Sequence, residues 1–113
     1  MEVRFANNKM QKICNSQKLL QVEYGASNAR KIMMRLSEMY SVDNLSQISV
    51  LPPPRRHVLS GDRAGQFAVD IKHPFRIVFV PDHDNIPTLE CGGVDVSKVI
   101  RIKVIWIGDY HGE

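Results

Sequence analysis

The chain has 113 residues and a mass of 12.9 kDa, which is the length of one domain. With 43% hydrophobic and 24% charged residues it lacks the low hydrophobicity and high charge of a disordered chain, and no apolar run approaches the ~18–20 residues of a membrane span. The net charge of +3 and pI of about 9.0 are compatible with nucleic acid but do not select for it.

Val3-Arg4-Phe5 alternates and predicts a short opening strand. No basic stretch leading into an apolar core is visible there, so an export signal is not expected. Asn7 and Asn8 offer a helix N-cap. Met10, Ile13, Cys14, Gln17 and Leu20 follow at three- and four-residue steps, predicting one helix that ends at Tyr24, with Gly25 as a left-handed C-cap. A second helix is predicted from an N-cap at Ser27, with Ala29, Ile32, Met33, Leu36, Met39 and Tyr40 on its buried face. Asn28, Arg30, Lys31, Arg35 and Glu38 are placed on the solvent face. A short connection between the two makes an antiparallel hairpin.

Asp43 to Ile48 predicts one more helical turn, and Pro52-Pro53-Pro54 an extended crossing segment, since proline halts a helix. The pattern then changes to period two. His57-Val58-Leu59 reads as a short strand, and Phe67 to Ile71 and Phe75 to Val80 as a hairpin turning at Lys72-His73-Pro74. Asp82 to Ser97 reads as a polar loop. Val99 to Ile107 reads as a central strand with Ile100, Ile102, Val104 and Trp106 on one face. Helices first and strands after predict an α+β fold: an N-terminal helical hairpin packed on a twisted antiparallel sheet of three to five strands, in one domain spanning residues 1–113.

Cys14 and Cys91 form neither a disulfide framework nor a zinc pattern. Reduced thiols in a cytoplasmic protein are expected, with a bridge between them left open. His57, His73, His83 and His111 never recur at i, i+3 or i+4, so no metal site is expected. The nucleotide-phosphate loops GxxxxGK[ST] and GxGxxG are absent, and no cofactor is expected. What remains is a set of basic and aromatic residues at strand ends: His57, Arg63, Arg76, and Tyr110-His111 after the last strand. Arginine suits phosphate oxygens, histidine and tyrosine suit proton transfer, and an aromatic ring suits base stacking. Composition and spacing alone favour the plainer reading, in which these are surface charges and a frayed tail.

The ordered set Met1-Glu2-Val3-Arg4-Phe5, Leu36-Ser37-Glu38-Met39, His57 to Phe67, His73-Pro74-Phe75-Arg76-Ile77-Val78-Phe79 and Asp109-Tyr110-His111-Gly112 resembles the RelE/HigB superfamily of bacterial type II toxin–antitoxin toxins, and most nearly its plasmid-maintenance killer branch. The resemblance covers nearly the whole chain. It implies a metal-independent endoribonuclease that cuts translated mRNA on the ribosome, neutralised by a cognate antitoxin that is a small helix-turn-helix DNA-binding protein. On that resemblance Arg76 matches the arginine that stabilises the pentavalent phosphate, His57 a proton-transfer histidine, and Asp109, Tyr110 and His111 the C-terminal catalytic triplet. Arg63 matches a basic residue near the RNA path. The Asp82–Ser97 loop is an insertion relative to compact members, and its acidic residues belong away from RNA or against the antitoxin.

Charge divides along the chain. Residues 1–56 hold nine Lys/Arg against four Asp/Glu, and residues 57–113 six against eight. Arg30, Lys31, Arg35, Arg55 and Arg56 are therefore expected to meet RNA phosphates. Two alternatives stand beside the nuclease: a ParE-type DNA gyrase poison of the same fold, and a non-catalytic RNA- or protein-binding relic.

Overall fold

The computed structural model describes residues 1–109. Strand β1 (Glu2–Phe5) leads into three helices, α1 (Asn8–Cys14), α2 (Gln17–Tyr24) and α3 (Ala26–Ser41). After a 3₁₀ turn at Leu45–Gln47 come β2 (His57–Val58), a 3₁₀ turn at Gly61–Arg63, β3 (Phe67–Asp70), β4 (Arg76–Pro81), a 3₁₀ turn at Val96–Lys98 and β5 (Arg101–Gly108). The strands form a single sheet in the order β1-β5-β4-β3-β2. The α+β architecture is as expected, but the sheet is mixed rather than antiparallel: β1 runs parallel to β5, with Glu2 opposite Arg101 and Phe5 opposite Val104. The two strands are nearly a hundred residues apart, so no hairpin turn writes their relative direction into the local sequence.

The expected first helix is two. Asn7 caps α1 as anticipated, its side chain accepting from the Met10 N–H at 2.8 Å. The chain then breaks at Asn15, and Ser16 caps α2 by accepting from the Leu19 N–H at 3.1 Å. A capping hydroxyl in mid-pattern competes with helix continuation, which periodicity does not register. Gly25, at φ +86°, turns the chain in one residue, so α3 starts at Ala26 without the expected loop or a Ser27 cap. Only glycine takes that conformation readily.

One face of the sheet packs under the helices. Leu20, Ala29, Ile32, Leu36 and Met39 meet Phe67, Val69, Ile77, Phe79, Ile102 and Val104 in the main core. Met33 and Tyr40, expected in that stripe, are exposed, and Arg35 takes a buried place instead. A second, smaller cluster of Leu59, Ala68 and Val78, flanked by Ile105 and Trp106, lies on the other face. No helix covers that face among the described residues.

Strand β5 decides what that second face carries. Val78 pairs with Trp106 but the next residue of β4, Phe79, pairs with Val104, so Ile105 is an extra residue in a β-bulge. Alternation is reset there. Ile102 and Val104 face the helices, whereas Trp106, expected beside them, faces away; Ile100 is exposed. The tri-proline segment also departs from expectation. Pro52 to Pro54 form a turn, closed by the Arg55 N–H donating to the Leu51 carbonyl at 3.1 Å. Proline's missing N–H is no loss in a turn that closes through the residue after it.

Candidate active site

Antiparallel register gathers the chemistry on the sheet face away from the helices. His57 lies opposite Ala68, Ala68 opposite Val78 and Val78 opposite Trp106; one pleat along, Asp70 lies opposite Arg76 and Arg76 opposite Gly108. Residues directly opposite share a face. The small side chains of Ala68 and Val78 thus floor a strip with His57 on one side and Trp106 on the other, and Asp70 and Arg76 border it.

Asp70 is the centre of this arrangement, and nothing in the sequence singled it out. Its N–H donates to the Pro54 carbonyl at 2.8 Å. Its own carbonyl accepts from Arg35 Nε at 2.7 Å. Its carboxylate accepts from Arg55 Nε at 2.6 Å and Nη2 at 3.0 Å, and from Arg76 Nε at 3.4 Å. Partial burial pushes the carboxyl pKa up, but the hydrogen bond and charge of Arg55, with the charges of Arg76 and His57, outweigh it and hold the value below the ordinary carboxylate range. Asp70 is therefore ionised, and it holds two guanidinium groups that would otherwise repel each other. Arg76, although only 7% exposed, is charged and partnered.

His57 adjoins this cluster, with Nδ1 2.7 Å from the Arg55 carbonyl oxygen. Arg63, in the turn after β2, lays its guanidinium 4.9 Å from the Trp106 ring centroid, a cation–π contact, and donates to Gln66 Oε1 at 3.3 Å. Gly108 makes room for the indole: a Cβ there would stand 2.9 Å from Trp106 Cζ2. Trp106 is thus a further residue of the candidate site, and one that alternation assigned to the wrong face. The signal that could have found it is the glycine two positions on, which bulges and close approaches favour. Asp109 is half-buried at the end of β5. Tyr110 and His111 lie outside the described residues.

The remaining expected residues are elsewhere. Arg35 is a correction: it is 2% exposed, spans from α3 to the Asp70 carbonyl, and pairs with Glu38 at 2.6 Å. It has no surface on which to meet RNA. Its place on the helix matches the apolar stripe, where a long aliphatic stem fills core space and its charged head is paired at the edge. Arg56 donates through Nε to the Ile48 carbonyl at 2.9 Å and ties down the loop before β2, where burial lowers its pKa. Arg55, expected to meet RNA phosphates, pairs with Asp70 in the cluster. Arg30 is exposed on α3 and Lys31 half-buried there, and Arg30 lines a groove of about 690 Å³ between α2 and α3.

The Asp82–Ser97 loop leaves β4 at Pro81, the strand end opposite Arg76. At ~3.3 Å per residue β4 separates the two by roughly 17 Å, so the loop begins away from the Asp70 cluster. Asp82 is 3.7 Å from both Arg4 and Arg101, and a Thr88–Val94 bridge closes the loop's tip. Cys14 is partly buried, Cys91 is exposed, and both thiols are free.

No protein-family profile matches the chain, and no curated protein matches its sequence. Solved structures do. A YoeB/ParE toxin from Agrobacterium tumefaciens superposes with a TM-score of 0.57 at 14% identity, covering 97% of this chain and 99% of that one. A chain of a YoeB-YefM complex from Staphylococcus aureus superposes with a TM-score of 0.55 at 12% identity, covering 97% of both. The fold of this chain is therefore the fold that these two structures share with it.

Proposed function

We propose that the chain is the toxin of a bacterial type II toxin–antitoxin module and acts in the cytoplasm as a ribosome-dependent mRNA endonuclease. The observation that carries this reading is the meeting of His57, Arg55, Asp70 and Arg76 on one uncovered sheet face. A proton-transfer group beside a held pair of guanidiniums is the inventory that phosphodiester cleavage through the RNA 2′-hydroxyl uses. The 2′-oxygen loses its proton to a base and attacks the adjacent phosphorus. The phosphorus–5′-oxygen bond breaks, and the 5′-oxygen takes a proton from an acid, leaving a 2′,3′-cyclic phosphate and a 5′-hydroxyl. Arg76 stabilises the charge that builds on the phosphoryl oxygens, and His57 moves a proton. Asp109, Tyr110 and His111 complete the set on the strength of the sequence resemblance. Trp106, under the Arg63 guanidinium, is placed to border the path of a single strand.

A cognate antitoxin, a small helix-turn-helix protein, is the partner that neutralises the toxin. That a structural neighbour was solved as a YoeB-YefM complex supports a protein partner of this kind. No helix among the described residues is long and apolar enough to cross a membrane. The alternatives, a ParE-type gyrase poison and a non-catalytic relic, give His57 no proton to move. Induced expression separates them. Growth arrest with cut translated messages is expected, relieved by His57→Ala and by Arg76→Ala. Linearised plasmid with intact messages would make the chain a gyrase poison instead.

A further inference from the structure

Arg55 is the one residue other than glycine with a positive φ among the described residues, at +46°. A side chain in the left-handed region is strained, and such strain persists only where the surroundings over-determine it. Three contacts do so here. The Arg55 N–H closes the tri-proline turn on Leu51, and the neighbouring Pro54 carbonyl is fixed to β3 by the Asp70 N–H. The Arg55 side chain is clamped in two-pronged fashion on the Asp70 carboxylate. The third group of the residue, its carbonyl, then points at His57 Nδ1, 2.7 Å away.

A carbonyl oxygen only accepts, so Nδ1 must carry the proton. The neutral ring then has its lone pair on Nε2, the nitrogen that this bond leaves unused. Free histidine in water prefers the opposite tautomer. The charged group that acts on the ring is the Asp70 carboxylate from β3, which in turn holds Arg55 and Arg76. The hydrogen bond of Nδ1 goes to the Arg55 carbonyl and not to that carboxylate.

We propose that Arg55 is a positioning residue: held left-handed by Asp70 and the proline turn, it locks His57 as the Nδ1–H tautomer and so makes Nε2 the base that takes the 2′-hydroxyl proton. This assignment rests on the nuclease reading, but its geometric half does not.

The test pairs imidazole ¹⁵N NMR of the whole chain with single-turnover cleavage of a message in a translating extract; the His57 signals are identified by their loss in His57→Gln. Wild type is expected to show His57 as Nδ1–H. Arg55→Ala removes the clamp and disfavours positive φ, and should shift the ring toward Nε2–H and slow cleavage at least tenfold, with ribosome affinity within twofold of wild type. Arg55→Gly keeps a residue that tolerates positive φ, and should retain more of both the tautomer and the rate than Arg55→Ala. Asp70→Asn, which weakens the clamp from the other side, should move the tautomer in the same direction. A wild-type His57 protonated on Nε2, or an unchanged ring in Arg55→Ala, overturns the positioning role even if messages are cut. A ring that behaves as expected in a chain that cuts no message instead overturns the nuclease reading, and with it the role of Nε2 as base.

Discussion

At the scale of single residues, Asp70 concentrates more of the site's organisation than any residue whose chemistry was apparent in the sequence. Its N–H, carbonyl and carboxylate bind three separate segments: the proline turn, helix α3 and the two arginines of the uncovered face. The carboxylate is ionised in the folded state at a lower pH than in the unfolded chain. The stability that follows from this is fully present above the unfolded carboxylate value of ~3.9 and is lost as pH falls through the lower folded value. Asp70→Asn should therefore cost about 1.5–3 kcal/mol at neutral pH, the scale of a charged hydrogen bond. The gap to wild type should close on acidification. Urea midpoints at pH 7 and pH 3 check this, and a gap that widens at pH 3 would refute the assignment of charge. Burial likewise pushes the Cys14 thiol up to about 11, which leaves it protonated at neutral pH.

At the scale of elements, the join between α3 and β3 runs through a charged residue. Arg35 occupies a position of the helix that packs inward, and its guanidinium links the Asp70 carbonyl to Glu38. Arg35→Ala removes the packed stem and leaves a carbonyl without that donor, so a loss of about 2–3 kcal/mol is expected. Arg35→Met should restore part of it by refilling the space. Chemical denaturation of the two variants measures the difference; equal losses would mean that packing contributes nothing at this site. The β-bulge at Ile105 is the other decision made by an element. Without a reset of alternation, Trp106 would stay in phase with Ile102 and Val104 and point into the helix-covered core, and Arg63 would have no ring to cover on the opposite face.

At the scale of the whole molecule, the helices and the candidate site take opposite faces of the sheet. Lys9, Lys12, Lys18, Arg30 and Lys31 are carried by the helices, while the candidate site is on the face that they do not cover. Reversing Lys9, Lys12 and Lys18 to Glu should weaken ribosome association and flatten its salt dependence, yet leave single-turnover cleavage at saturating ribosomes within about twofold. Binding measured across a salt series decides this, and an unchanged slope would remove the helices from the RNA-facing surface. The sequence by itself determined the fold class, the positions of most strands and the apolar residues Ala29, Ile32, Leu36 and Met39 that α3 buries, because each depends on local periodicity. It did not determine the parallel pairing of β1 with β5, the break at Ser16, the face of Trp106, the burial of Arg35 or the central place of Asp70. Those depend on which residue lies opposite which across the sheet, on a capping hydroxyl and on one inserted residue in a strand. Such relations exist only once distant segments are brought together, and it is through them that the tertiary structure gathers scattered arginines and a histidine on one sheet face.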